Sequence, residues 1–111
     1  LFRDRIQKTM RIALDFDGTV TAFPSFWLEF VNLCRQHSIE VFIVTARFDT
    51  QKNRDEIHFL IDKDVPLIFT AQKAKKAHCE ALDEQFDIWI EDNPWMVHID
   101  IKDLEKHGIK P

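Results

Sequence analysis

Tyrosine is missing altogether from this 111-residue chain, and cysteine occurs only twice. Cys34 and Cys79 lie far apart and match neither a disulfide framework nor a paired metal-ligand spacing, so reduced, intracellular thiols are expected. No apolar run approaches the roughly 20 residues that a membrane helix needs. The opening stretch, Leu1 to Arg5, lacks the pattern of a secretory signal, and a cytoplasmic protein with no membrane partner is expected. Positive charge is also short: the formal net charge of -4 excludes the broad basic field by which a dedicated nucleic-acid binder collects phosphates. No repeat, linker or low-complexity tract interrupts the chain.

What is present suits an ordinary globular domain. Hydrophobic residues make up 45% and charged residues 31%, without the apolar depletion that marks disorder. Met10 directly precedes the first apolar stretch, so residues 1–9 are expected to be an N-terminal extension and residues 10–111 a single domain. Residues 11–16 read as a buried strand ending in carboxylates, residues 40–45 as a second strand rich in β-branched side chains, and 65–69 and 86–90 as a third and fourth. Between them fall helices at 25–36, with Phe26, Phe30, Leu33 and Cys34 at helical spacing, at 49–64, with Ile57, Leu60 and Ile61 on one face, and at 71–85. Ala74, Ala77, Cys79 and Leu82 are the inward candidates of the last helix. The tail reads as a fifth short strand over 96–101, then a helical turn over 103–107 stopped by Gly108. Strands and helices alternating in this way predict an α/β, three-layer Rossmann-like fold, a mostly parallel sheet with helices on both faces. Its ligand site is expected at the carboxyl ends of the strands.

Both acidic clusters of the sequence fall at that end. Asp15-Phe16-Asp17-Gly18-Thr19 follows the first strand directly, and residues two apart in an extended chain point to one side, so Asp15 and Asp17 can serve one site. Gly18 then allows a sharp turn. With Ile43-Val44-Thr45 ending the second strand, a lysine cluster opening the third helix and Glu91-Asp92 ending the fourth strand, residues 11 to about 95 resemble the haloacid dehalogenase superfamily.

That resemblance implies a magnesium-dependent phosphatase. Asp15 would be the nucleophile that becomes an aspartyl phosphate, and Asp17 the general acid and then base, the residue that phosphatases and phosphomutases keep. Thr45 and the backbone N–H of Ala46 would bind phosphoryl oxygens. Lys73, Lys75 and Lys76 compete for the role of charge-offsetting lysine. Lys75, four residues before Cys79, is favoured, with Lys73 next. Mg²⁺ would take Asp15, the backbone carbonyl of Asp17 and one carboxylate of the final pair, Asp92 directly with Glu91 behind it.

The intervals between these motifs leave no room for a cap domain, so the site is expected to be open. Phe23, Arg47, Phe48 and Trp95 are the expected rim, either contacting substrate or packing the loops, with Arg47 touching substrate or pairing with Asp49. The substrate is left open between a nucleotide, a nucleic-acid end and a phosphoprotein, and the assembly between a monomer and a small homo-oligomer. A phosphate- and metal-binding module that acts as an interaction domain is the alternative. The five histidines show no metal-ligand spacing.

Overall fold

The computed structural model describes residues 9–110. Residues 1–8, which make up most of the expected N-terminal extension, and Pro111 lie outside the described residues. Four parallel strands, β1 (Arg11–Leu14), β2 (Glu40–Thr45), β3 (Leu67–Phe69) and β4 (Ile88–Ile90), form one sheet in the order β3-β2-β1-β4. Their near-continuous apolar character suits strands buried on both faces. Between them run α1 (Pro24–Gln36), α2 (Gln51–Leu60) and α3 (Lys75–Ala81). The chain steps outward twice from β1, through β2 to β3, then returns to the other side of β1 as β4. That reversal opens a crevice at the carboxyl ends of β1 and β4, where α/β folds bind ligands.

Alternation along the strands divides the core in two. Ile12, Leu14, Val41 and Ile43 pack with Val31 and Cys34 of α1 and with Ile57 of α2. Ala13, Val44 and Ile68 pack with Cys79 of α3, flanked by Phe42, Phe86 and Trp89. Each fully buried aliphatic side chain contributes about 1.5–3 kcal/mol relative to an exposed one.

Local chemistry sets the boundaries. Pro24 opens α1 at a position that needs no N–H, and Thr50 caps α2 by accepting the Asn53 N–H at 3.1 Å. The inward stripe of α1 is Trp27, Phe30, Val31 and Cys34. Phe26 and Leu33 face solvent, because the sheet lies one position round from the expected stripe. α2 is shorter than residues 49–64, since Ile61 leaves the helix extended and enters the core. Pro66, without an N–H for the ladder, shortens β3 at its start.

α3 is shorter still than 71–85. Ala71 and Gln72 adopt left-handed backbone (φ 52° and 69°) before it, and Asp83 (φ 60°) follows its end; Ala77 and Leu82, expected to face inward, are exposed. The expected fifth strand over 96–101 does not form. Pro94 instead starts a single helical turn, α4 (Trp95–His98), followed by short turns at Ile101–Asp103 and Glu105–His107, with Gly108 left-handed at the stop. This tail buries Val97 and Leu104 and bonds to the loop before α3, Ile101 N–H to Gln72 O at 3.0 Å and Ala74 N–H to the Asp100 carboxylate at 2.6 Å. Among the described residues, no helix is long and apolar enough to cross a membrane.

Candidate functional site

β1 delivers Asp15 to the crevice from the core, and the Asp15 N–H donates to Ile90 O of β4 at 2.9 Å, which holds the two strand ends together. The Asp15 carboxylate is 6% exposed and each of its oxygens has a partner. Lys75 Nζ donates to Oδ1 at 2.7 Å, and the buried Thr19 hydroxyl donates to Oδ2 at 2.9 Å. Lys75, 1% exposed, also donates to Glu91. Of the three competing lysines, Lys75 enters this cluster; Lys73 and Lys76 are exposed.

Glu91 and Asp92 follow β4, and one oxygen from each of Asp15, Glu91 and Asp92 lies within 4.8 Å of the others. Asp92 crosses beneath the turn after β1. A Cβ on Gly18 would sit 2.3 Å from an Asp92 oxygen, and Gly18 has φ 86°, so both space and backbone conformation require glycine there.

Three carboxylates, those of Asp15 and Glu91 shielded from water and that of Asp92 on an exposed residue, leave a formal charge of -2 against one ammonium. Burial, opposed by the charge of Lys75 and aided by a hydrogen bond with Asp92, pushes Asp15 up to about 8. Burial likewise raises Glu91, again against Lys75, whereas Asp92 is lowered, chiefly by its hydrogen bond with Asp15. A hard divalent cation takes oxygen ligands and would offset that excess, so the donor set fits such an ion.

Asp17 behaves differently. Expected to offer its backbone carbonyl to a metal and its carboxylate to proton transfer, it does not bring its carboxylate into the acidic group. Both of its oxygens are gripped by Arg47, at 2.8 and 2.9 Å. Arg47 in turn donates to Asn53 and Glu56 of α2, and its guanidinium is raised above its usual value chiefly by the Asp17 bond.

Thr45 is buried at the end of β2, its hydroxyl accepting the Arg47 N–H at 3.3 Å, and Ala46 follows, half-buried. Ala46 and Arg47 carbonyls accept the N–H groups of Gln72 and Ala71 at 2.8 and 3.2 Å, which ties the loop after β2 to the loop that leads into Lys75. Phe23, Phe48 and Trp95 are all more than half exposed. A hollow of about 480 Å³ beside Arg47 is lined by Phe16, Thr21, Asp55, Glu56, Phe59 and Leu60; Phe59, not singled out from sequence, shares it with Arg47.

Thr19 and Glu56 are the further site residues that sequence reasoning passed over. Thr19 lies in the motif itself, four residues after Asp15, and Glu56 sits on the helix that follows Arg47. Compared with family models, curated proteins and solved structures, the chain matches none.

Proposed function

We propose that the chain is a magnesium-dependent phosphatase of the haloacid dehalogenase type, without a cap, on a three-layer Rossmann-like scaffold. The observation that carries this reading is the environment of Asp15. Its carboxylate is buried at the crevice between β1 and β4, bonded to Lys75 and Thr19, and close to Glu91 and Asp92. A carboxylate held so, with positive charge set against it, suits attack on phosphorus better than it suits a solvated surface turn.

In this reading an Asp15 oxygen attacks the phosphorus as the ester P–O bond breaks, giving an aspartyl phosphate and the alcohol. Asp17 donates the proton to the departing oxygen, then takes one from the water that hydrolyses the aspartyl phosphate. Lys75 offsets charge on the nucleophile and the transferring group, while the Thr45 hydroxyl and the Ala46 N–H bind phosphoryl oxygens. Asp15 and Asp92, with Glu91 behind them and the Asp17 carbonyl, would hold Mg²⁺, which when bound neutralises negative charge on the phosphoryl oxygens.

Substrates of this reading are phosphate monoesters of a nucleotide, a nucleic-acid end or a phosphoprotein, admitted because no cap covers the mouth. A second reading, a phosphate- and metal-binding module with little turnover, draws on the engagement of Asp17 by Arg47 away from the acidic group.

Phosphate release from p-nitrophenyl phosphate, with and without Mg²⁺, tests the choice. The enzyme reading expects turnover that needs the metal and is abolished in Asp15→Asn. Turnover that survives Asp15→Asn removes the nucleophile assignment. Silence across nucleotides, phosphorylated oligonucleotides and phosphopeptides, with Mg²⁺ still bound, favours the binding module.

A further inference from the structure

Sequence alone leaves Arg47 to touch substrate or to pair with Asp49. In the structure Asp49 is taken by Arg54, at 2.7 and 2.9 Å, and the guanidinium of Arg47 reaches back to the turn after β1. Its Nε and Nη2 donate to the two oxygens of Asp17 at 2.9 and 2.8 Å. Its Nη1 donates to Asn53 at 3.0 Å and also to Glu56. The face of the guanidinium lies over Phe16, 5.1 Å from the ring centre. The fork is therefore fixed by α2 and by an aromatic ring, independently of the carboxylate that it grips.

An exposed aspartate on a turn ordinarily samples several rotamers. A two-point fork selects one plane and one direction for the carboxylate, a geometry that lysine cannot reproduce. We infer that Arg47 is a positioning residue, which acts through Asp17 by holding that carboxylate in one orientation at the mouth of the site rather than by binding the phosphoryl group.

The inference rests on the phosphatase reading, in which Asp17 protonates the leaving oxygen as the P–O bond breaks. That role makes the consequence selective. p-Nitrophenolate departs as a stable anion with little need of a proton, whereas an alkoxide departs only with one. Loss of alignment at Asp17 therefore harms alkyl esters more than p-nitrophenyl esters. Loss of a phosphate-binding contact, or loosening of the turn, harms both alike.

The test is kcat/KM, which reports the bond-breaking step, for p-nitrophenyl phosphate and benzyl phosphate at saturating Mg²⁺. Wild type is compared with Arg47→Ala, Arg47→Lys and Glu56→Gln. Because a positioned acid contributes about 10²–10⁴-fold, Arg47→Ala is expected to lower kcat/KM for benzyl phosphate at least about tenfold more than for p-nitrophenyl phosphate. Arg47→Lys should behave similarly, and Glu56→Gln should show the same bias at smaller size.

Thermal melts establish folding, and if Arg47→Ala does not fold, the other two variants carry the comparison. Equal fold-losses on the two esters overturn the inference and leave the phosphatase reading standing. A wild type active on p-nitrophenyl phosphate alone also overturns it, since no proton-assisted departure then exists to be positioned. A wild type inactive on both esters removes the phosphatase reading and this inference together.

Discussion

Lys75→Met is the most demanding test of the buried cluster. The substitution keeps the length of the side chain and removes the ammonium that bonds to Asp15 and Glu91. Both partners are nearly inaccessible, at 6% and 4% side-chain exposure, so water cannot replace the lost charge. Breaking a buried pair in this way costs about 3–5 kcal/mol, a large part of the roughly 5–15 kcal/mol that stabilises a domain. At about 4 °C per kcal/mol for a chain of this size, the melting midpoint of the metal-free protein should fall by roughly 12–20 °C above pH 8, where Asp15 is ionised. Lys73→Met and Lys76→Met, at exposed positions of the same segment, should change stability by no more than about 0.5 kcal/mol.

The pH dependence has a definite sign. Asp15, raised to about 8, and Glu91, also raised, each contribute stability that is fully present below their unfolded values and is lost as pH rises through the folded ones. Asp92, which is lowered, runs the other way, but it is the exposed member of the three. The deficit of Lys75→Met should therefore shrink as pH is brought from above 8 towards 5, where protonated carboxyls no longer need a counter-charge. Circular-dichroism melts across that range are the assay. A Lys75→Met protein that melts within about 2 °C of wild type above pH 8 would refute the argument that this ammonium balances a buried acidic group.

Three further outcomes follow from the same geometry. Mg²⁺ binding should release protons below pH 8 and strengthen as pH rises to that point, because Asp15 must be ionised to ligate; calorimetry in buffers of different ionisation heat measures both, and the absence of any heat or melting shift would exclude the cation. Gly18→Ala should lower stability by about 1–2 kcal/mol through its left-handed backbone alone and should abolish the melting shift produced by Mg²⁺, since the new methyl displaces Asp92. Cys79, pushed up to about 11 by burial, and Cys34, also raised by burial, should stay unlabelled by Ellman's reagent at pH 8 until the protein is unfolded in urea; rapid labelling of the native protein would contradict their packing.

The parts of the fold legible in the sequence are those that depend on periodicity and chain direction. Apolar runs at β1 and β2, each ending where polar chemistry begins, suffice to predict parallel strands, and parallel strands put their carboxyl ends on one side. Asp15 and the Glu91-Asp92 pair therefore meet across β1 and β4. Lys75 is legible because it shares a helical stripe with Cys79, which is fully buried.

Other features depend on information that a local pattern does not carry. The stripe of α1 is offset because the sheet, not the helix, decides which flank is covered. The ends of α3 are set by left-handed residues, Ala71, Gln72 and Asp83, that are not glycine. Residues 96–101 look strand-like in composition, yet Pro94 and the burial of Val97 favour a helical turn. The grip of Arg47 on Asp17 joins residues 30 apart in the chain, and Asp49, the nearer carboxylate in sequence, is occupied by Arg54.

The left-handed pair Ala71 and Gln72 gives their amide hydrogens to the carbonyls of Arg47 and Ala46. A single backbone bracket thus carries the ammonium on one side and the guanidinium on the other, at the expense of two residues in a conformation that side chains disfavour. Neither cation can be shifted far along the crevice without dragging its neighbour. Spacing between them is a property of the main chain, and changes at residues 71 or 72, which lie outside the acidic cluster, would be felt at both.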